Sequence, residues 1–301
     1  MSSLEAVAPA TITVVRPRTF DELRAQLRST PPPHYYLAGG TDLLVQHKDG
    51  VVPTSTWIDI TAMESLRGIE LRGEHLRIGA RAVHEEVRRS PLIHQYAAAL
   101  AESVSVIGGP QVRWRGTIGG NIANASPAGD TVPALHTLDA QVEVMGADGL
   151  TRRLPVADLA VGPRKSVLQG GDLIIAVFIP AREGARGGFM RLGQRQSQAI
   201  SKVSVAVTAV PRGGGGDGHG GFRTGFSYLR IACGAVAPTV MRATRAETVL
   251  LEEGMTPESV AKAMQAIREE VRPIDDVRSS AAYRREMAGV LLERVLARVM
   301  V

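Results

Sequence analysis

The sequence contains a single cysteine, Cys233, among its 301 residues. One thiol cannot form an internal disulfide, and by itself it cannot hold an iron–sulfur cluster or complete a zinc site. The seven histidines are scattered singly, without the His-x-His or His-Glu-x-x-His spacing of a metal site. We therefore expect a protein without a metal centre of its own, in which Cys233 is a small buried apolar side chain.

Long apolar runs are also missing. No stretch reaches about 18 consecutive apolar residues, so the sequence predicts no transmembrane helix. The first residues, Met-Ser-Ser-Leu-Glu, lack the basic start and apolar core of a signal peptide. Together with the single cysteine, these features predict a cytoplasmic protein.

Several common functional motifs do not occur. The chain has neither a Gly-x-x-x-x-Gly-Lys-Ser/Thr loop nor a Gly-x-Ser-x-Gly elbow, which argues against a P-loop nucleotidase and a nucleophilic hydrolase. The net charge is +5, but basic and acidic residues are interspersed. Arginines do not alternate with aromatic residues either, so the pattern indicates a mixed solvated surface and not a nucleic-acid interface.

Two glycine-rich segments, 36–43 and 117–130, contain most of the functional information. Each places glycines beside short hydroxyl, amide or carboxylate side chains. Glycine permits positive φ and close approach of the backbone, so that successive N–H groups can face an anion. Two such loops would clamp one phosphate-bearing cofactor between them, and neither contains a lysine. A neutral clamp suits a flavin dinucleotide, which stays bound through many cycles.

The local pattern divides the chain into three expected domains, at 1–61, 62–181 and 182–301. The first alternates strands and helices, with strands at Thr11–Val15, His34–Ala38 and Thr56–Ile60, a helix from the Thr19–Glu22 capping box to about Leu27 and another from Thr41 or Asp42. The second mixes strands at Leu76–Gly79, Gln141–Val144 and Leu173–Ile179 with a helix from Ser90-Pro91 through Ala101.

The third expected domain begins with a loose segment, Glu183–Gly188. We predict strands at Lys202–Val210, Thr224–Ile231 and Cys233–Ala237, and helices from Thr256 and from Ser279. The glycine tract Gly213–Gly221 formally matches the dinucleotide fingerprint Gly-x-Gly-x-x-Gly, but no helix follows it. We therefore reject the match and expect a flexible hairpin tip.

The two loops resemble a known family. Ala-Gly-Gly-Thr-Asp-Leu, ending at Leu43, and Thr-Ile-Gly-Gly-Asn-Ile-Ala-Asn-Ala-Ser-Pro-Ala-Gly-Asp, ending at Asp130, are similar to the FAD-binding medium subunit of the molybdenum hydroxylase family. That group includes the xanthine dehydrogenase and aerobic carbon monoxide dehydrogenase flavoproteins. Four further segments are also similar to that family: 162–174, 199–206, 234–239 and 274–285.

The resemblance implies an α+β fold. It would consist of a vanillyl-alcohol-oxidase-type (PCMH-type) FAD-binding domain of two subdomains, followed by a C-terminal domain with an antiparallel sheet and helices. It also implies an oxidoreductase subunit whose FAD accepts electrons from [2Fe-2S] clusters and passes them to NAD+, a quinone or another acceptor. Its partners would be a molybdopterin-binding large subunit and an iron–sulfur small subunit, in a heterotrimer or a dimer of heterotrimers. No catalytic side chain is expected in this chain.

The same resemblance assigns a cofactor-binding role to individual residues. The FAD pyrophosphate and ribityl chain would lie against Tyr36, Leu37, Ala38, Gly39, Gly40, Thr41, Asp42 and Leu43 on one side, and against Thr117, Gly120, Asn121 and Ser126 on the other. Asp130 would bond a ribose or adenine-side atom, and Ile107 and Ile174 would pack on the cofactor. Arg191 would lie near the flavin ring; arginine here replaces the lysine that the family pattern has.

Simpler interpretations stay open at this point. Gly39-Gly40 alone fits any tight turn, Asp42 fits a helix cap, and Asn121 and Ser126 fit side chains that bond their own loop. At the level of the whole chain, the alternatives are a stand-alone FAD-dependent oxidase or reductase with the same FAD domain, and a non-catalytic assembly subunit.

Overall fold

The computed structural model describes residues 11–30, 32–195, 198–212 and 225–300. The tract 213–221, predicted as a hairpin tip, lies outside these residues. The described helices are α1 (Phe20–Ser29), α2 (Leu43–Lys48), α3 (His84–Arg89), α4 (Pro91–Tyr96), α5 (Ala98–Ser105), α6 (Pro110–Arg113), α7 (Ile118–Ala123), α8 (Thr131–Thr137), α9 (Thr244–Glu253), α10 (Pro257–Glu270) and α11 (Ala281–Val299).

The described strands form four sheets. They are β1 (Thr13–Val15), β2 (His34–Leu37), β3 (Thr56–Asp59), β4 (Ile69–Arg72), β5 (His75–Gly79), β6 (Gln141–Met145), β7 (Thr151–Pro155), β8 (Ala160–Gly162), β9 (Lys165–Ser166), β10 (Leu173–Pro180), β11 (Arg186–Leu192), β12 (Val203–Pro211), β13 (Phe226–Gly234) and β14 (Met241–Arg242). Helices and sheets are thus mixed along the chain, as the predicted α+β class requires.

The N-terminal sheet is parallel, in the order β1-β3-β2. Helix α1 connects β1 to β2 and begins as predicted, because the Thr19 hydroxyl accepts a hydrogen bond from the Glu22 amide at 3.2 Å. Leu23 of α1 is buried together with Ile58 of β3. Strand β2 ends at Leu37, so the glycines of the first loop follow directly after a parallel strand.

The second sheet is antiparallel, in the order β4-β5-β10-β6-β7. Strand β10 is buried along seven of its eight residues, because it is the central strand and pairs with β5 on one side and β6 on the other. Helices α3, α5, α7 and α8 contribute to the largest apolar cluster, which also contains residues of β5, β6 and β10. The second glycine loop lies within this helical layer.

The third sheet is antiparallel, in the order β11-β12-β13-β14, and packs with α9, α10 and α11 in a separate apolar cluster. Cys233 is fully buried there, as expected for an apolar side chain, and burial raises the pKa of its thiol. The β13 strand runs continuously from Phe226 to Gly234. The two strands predicted at 224–231 and 233–237 were therefore wrong, and no turn residue separates them.

Three elements of this third sheet and its helices, β11, β14 and α9, were not predicted. Strand β11 begins within the segment expected to be loose, at Arg186, because Gly187 and Gly188 let helices pack against it. A β-carbon on Gly187 would stand 2.8 Å from the Ala99 nitrogen, and one on Gly188 would stand 2.9 Å from a Val299 methyl. Helix α9 was missed because its inner face includes a charged residue, Glu247, whose carboxylate is paired with Arg242.

The helix predicted from Ser90 through Ala101 is two helices. Ala97 has φ −145° and ψ 46°, which ends α4 and starts α5 in a new direction. The break lets the first turn of α5 approach β11 at Gly187, so a tertiary contact overrides a sequence that favours helix throughout. Among the described residues, no helix is long and apolar enough to cross a membrane. The domain bounds at 61 and 181 stay predictions.

Candidate cofactor site

The two glycine loops meet where Gly39 faces Arg115. A β-carbon on Gly39 would stand 2.0 Å from the Arg115 carbonyl oxygen and 3.1 Å from the Gly116 α-carbon. In addition, the Arg115 Nε donates a hydrogen bond of 3.4 Å to the Gly39 carbonyl. The first loop therefore packs directly on the residues that precede Thr117. Only glycine allows this approach, so the predicted pairing of the two segments has a steric basis.

The first loop offers unused hydrogen-bond donors. Within the described chain, no acceptor is bonded to the backbone amides of Gly39, Gly40, Thr41 or Asp42. Gly40 has φ +72°, in the left-handed region that glycine tolerates best. Four successive free amides at the end of a parallel strand, together with the following α2, form a suitable cradle for an anionic group.

The second loop is built differently, because its backbone amides are already used. Ile118 and Gly119 donate to the carbonyls of Ala82 and Ala80 at 3.0 and 2.9 Å. The Gly120 amide donates to the Thr117 hydroxyl at 3.2 Å, which caps α7. These bonds fix α7 against the end of β5. The second loop would therefore contact a cofactor through its surface and side chains more than through its amides.

The two neighbouring glycines of α7 have different surroundings, one packed and one open. A β-carbon on Gly119 would stand 2.7 Å from the Ala80 β-carbon, so Gly119 is needed for packing. A β-carbon on Gly120 would meet the Thr117 hydroxyl at 3.0 Å and no other atom within 4 Å. Gly120 is exposed. It therefore leaves open space at the surface of the second loop, which a β-carbon would fill.

Polar side chains connect the loops on the same surface. Gln46 of α2 donates from Nε2 to the Asp42 carboxylate and, at 3.5 Å, to the Asn124 side-chain oxygen. Asn121 accepts from the Thr131 hydroxyl at 2.5 Å through its Oδ1, which leaves its amide nitrogen available. Ser126 accepts from the Ala128 amide at 3.3 Å. These bonds hold the side chains of both loops in fixed positions.

Asp130 and Arg191 form a buried ion pair. Arg191 Nη1 lies 2.7 Å from Asp130 Oδ2, and the other carboxylate oxygen accepts from the Ser201 hydroxyl at 2.5 Å. Arg191 also donates to the carbonyls of Ala199 and Val106 at 2.8 and 2.5 Å. Burial raises the pKa of Asp130, and the Arg191 charge and the Ser201 hydrogen bond counteract part of that rise. The pair joins the second loop to the third sheet.

The remaining predicted site residues lie around these loops. Ile107 is partly buried and its carbonyl accepts from Arg113 at 3.2 Å. Ile174 is buried in β10, next to Ile175, whose carbonyl accepts from the Ala80 amide at 3.1 Å. The Tyr36 hydroxyl donates to the Gly171 carbonyl at 2.8 Å, and burial raises the pKa of this phenol. Contact of each residue with a cofactor stays a prediction.

Three residues near the site were not singled out from the sequence. No sequence motif marks Arg115, because its role depends on a contact with Gly39, which is distant in the sequence. His84 is buried beneath Gly116, and burial and the nearby Arg113 lower its pKa to about 4. Glu85 is a buried carboxylate that pairs with three arginines, which lower its pKa to about 2 despite its burial.

Comparisons with known proteins assign the family. The profile described as the FAD binding domain in molybdopterin dehydrogenase matches residues 10–182, and that of the CO dehydrogenase flavoprotein C-terminal domain matches residues 189–299. The chain belongs to the family of FAD-binding subunits of molybdopterin dehydrogenases. The resemblance noted in the sequence is thereby confirmed, as are the FAD cofactor and the oxidoreductase class.

Relatives within this family cover nearly the whole chain. The carbon monoxide dehydrogenase medium chain of Hydrogenophaga pseudoflava is 30% identical over 280 residues, which are 93% of this chain and 94% of the relative. The nicotinate dehydrogenase FAD-subunit of Eubacterium barkeri is 27% identical over 277 residues, 90% of each chain. The solved carbon monoxide dehydrogenase of H. pseudoflava superposes with a TM-score of 0.88 at 30% identity, covering 98% of this chain and 99% of that one.

The predicted fold is confirmed by this match: a PCMH-type FAD-binding domain followed by a C-terminal domain. The geometry of the two loops fits FAD. The free amides of Gly39 to Asp42 suit a pyrophosphate, and the open face at Gly120 gives it room. The described ranges contain no group of three or more His, Cys, Asp or Glu placed to hold a metal ion.

Proposed function

We propose that this chain is the electron-transfer flavoprotein subunit of a molybdenum hydroxylase complex. In that role it accepts electrons from the [2Fe-2S] clusters of a small subunit and passes them to NAD+, a quinone or another acceptor. The observation that carries the proposal is the run of backbone amides at Gly39 to Asp42 that have no acceptor among the described residues, in a loop packed against Arg115. In the described ranges, no group of three or more His, Cys, Asp or Glu is placed to hold a metal ion.

Bound FAD supplies the ability to exchange both single electrons and electron pairs. The chain's own residues hold it. The amides of Gly39, Gly40, Thr41 and Asp42 would donate to the pyrophosphate, the Asn121 amide nitrogen to a neighbouring oxygen, and Ile107 would pack on the ring system. These donors are neutral amides, and neither loop contains a lysine or arginine. The negative charge of the pyrophosphate would therefore be held by hydrogen bonds and not by an ion pair in either loop.

The buried pair Asp130–Arg191 would hold the cofactor-binding residues in position. Arg191 is bonded to the second loop through Asp130 and to the segment before Ile107 through the Val106 carbonyl. The Asp130 carboxylate compensates the charge of Arg191. We therefore propose that Arg191 holds Ile107 and the second loop in fixed positions relative to each other. We also propose that Asp130 bonds a ribose or adenine-side atom of FAD and that Arg191 lies near the flavin ring.

The proposal includes partners and a location. The relatives are described as a medium chain and as an FAD-subunit, words that denote one component of a larger enzyme. We propose a molybdopterin-binding large subunit and an iron–sulfur small subunit as partners, in a heterotrimer or a dimer of heterotrimers, in the cytoplasm. The substrate would bind the large subunit, so nothing in this chain selects it.

Co-purification tests this proposal. The chain, expressed with its neighbouring reading frames and purified through a tag on itself, should bring down a molybdopterin-containing large subunit and an iron–sulfur small subunit. FAD released on denaturation should match the chain in amount. A stand-alone oxidase or reductase would carry FAD without either partner, and a non-catalytic assembly subunit would carry the partners without FAD. Either outcome would overturn the proposal.

A further inference from the structure

A tryptophan is left on the surface between the two loops. Trp114 follows α6 and directly precedes Arg115, which bonds Gly39, yet it is 51% exposed. Val112, two residues earlier, is also exposed. The chain's other tryptophan, Trp57, is 3% exposed in the core of the first sheet. The exposure of Trp114 thus places a large apolar surface in solvent, immediately beside the proposed cofactor site.

One arginine, Arg89, lies against the tryptophan ring and is already held in place. The Arg89 guanidinium lies 5.2 Å from the centre of the Trp114 ring. Arg88, Arg89 and Arg113 all pair with the single buried carboxylate of Glu85, at 2.5, 2.7 and 3.0 Å. Three guanidiniums therefore share one carboxylate, and the exposed Arg115 adds a further positive charge next to Trp114 in the chain. We call the surface formed by Arg88, Arg89, Val112, Trp114 and Arg115 the Trp114 face, and its net charge is positive.

This combination is typical of a protein-binding surface. Tryptophan and arginine are enriched among the residues that dominate binding energy at interfaces. The Glu85 carboxylate and the ring of Trp114 fix Arg89 before any partner arrives, so that less side-chain freedom is lost on binding. On the first loop, Leu44 of α2 lies against Gly40 and is itself exposed.

We infer that the Trp114 face docks the subunit that donates electrons to FAD, an iron–sulfur protein that presents an acidic surface. The inference rests on the proposed function. An electron donor must come close to the flavin, and this face shares Arg115 with the junction of the two loops. Its positive charge selects a partner of opposite sign. A dinucleotide acceptor would instead need a concave pocket, whereas Trp114 and Arg89 extend into solvent.

Binding of the purified iron–sulfur subunit to the full-length, FAD-loaded chain tests the inference. Calorimetric titrations at low and at high salt would compare the wild type with Trp114→Ala, Trp114→Phe and Arg89→Gln. Matched controls are Leu150→Ala, an exposed apolar residue between β6 and β7, and Arg245→Gln, an exposed arginine on α9. FAD content and the unfolding temperature of every variant show whether it is folded and loaded.

Trp114→Ala should raise the dissociation constant about tenfold or more, with Trp114→Phe between it and the wild type. Arg89→Gln should weaken binding at low salt and flatten the salt dependence. The controls should stay within about twofold. Wild-type affinity in folded, FAD-loaded Trp114→Ala and Arg89→Gln would overturn the docking inference and leave the proposed function intact. A wild-type chain without FAD would overturn the proposed function itself.

Discussion

The Arg115 carbonyl oxygen lies 2.0 Å from the point where a β-carbon on Gly39 would stand. Gly39 belongs to the first loop and Arg115 to the approach to the second, and 75 residues separate them in the sequence. This close contact brings together two segments, neither of which would form a cofactor site alone. The cofactor site therefore depends on the absence of a side chain at Gly39 as much as on any polar group.

Replacing Gly39 by alanine should damage the site and the fold together. The new methyl group would collide with backbone, which cannot rotate away, so we expect a loss of roughly 1–3 kcal/mol in the free energy of unfolding. FAD content should fall as the loops separate. Gly170→Ala is the matched control, because nothing lies within 4 Å of its β-carbon position and its φ is not positive. Urea unfolding and released FAD measure both effects, and a stable, FAD-loaded Gly39→Ala variant would contradict the contact.

The pair Gly119 and Gly120 separates packing from cofactor binding. Gly120→Val should leave the fold intact, because among the described residues only the Thr117 hydroxyl lies within 4 Å of its β-carbon position, but it should empty the site by occupying the pyrophosphate's position. Gly119→Ala should instead lower stability, since its methyl group would press on Ala80. Circular dichroism and FAD content distinguish the two. If Gly120→Val retained FAD in full, the second loop would be misassigned.

Breaking the buried pair should cost much more than breaking an exposed one. Arg191→Ala leaves Asp130 buried without its partner, for which we expect a loss of roughly 3–5 kcal/mol in unfolding free energy. Arg245→Ala, which removes an exposed partner of Glu269, should cost roughly 0–1 kcal/mol. Denaturant titrations compare them. Equal losses in the two variants would mean that Arg191 does not hold the second loop to the third sheet.

Two buried histidines should make stability depend on pH. Burial lowers the pKa of His84 and of His136 to about 4, from an ordinary 6.5. Below pH 6.5 the unfolded chain therefore binds protons that the folded chain does not, and stability falls as the pH drops towards 4. Unfolding temperatures at pH 7 and pH 5 should differ in the wild type and differ less in a His84→Gln, His136→Gln variant. An unchanged difference would contradict the assignment.

The sequence allowed prediction of those parts of the fold and site that local patterns determine. The Thr19 cap of α1 and the strand predicted at His34–Ala38, which the structure has at His34–Leu37, depend on neighbouring residues. The family and FAD were predictable because both glycine loops match a specific pattern. Those predictions needed no knowledge of contacts between distant segments.

What failed or was missed depends on such contacts. The break at Ala97 and the strand through Gly187 exist because α5 packs against β11, and no local signal marks either. The Asp130–Arg191 pair joins residues 61 positions apart, so the sequence suggested a charge beside the flavin and not a charge held by a carboxylate. Arg115 and Glu85 became visible as site-forming residues only once the loops were placed side by side.

Electron delivery to the bound FAD tests the central claim most directly. The oxidised flavoprotein would be mixed anaerobically with the chemically reduced iron–sulfur subunit, freed of excess reductant, while flavin absorbance is followed. We expect bleaching of the flavin absorbance as the clusters are reoxidised, and clusters that stay reduced with the FAD-free Gly120→Val variant. A flavin that stays oxidised beside reduced clusters, yet is reduced at once by added dithionite, would contradict it.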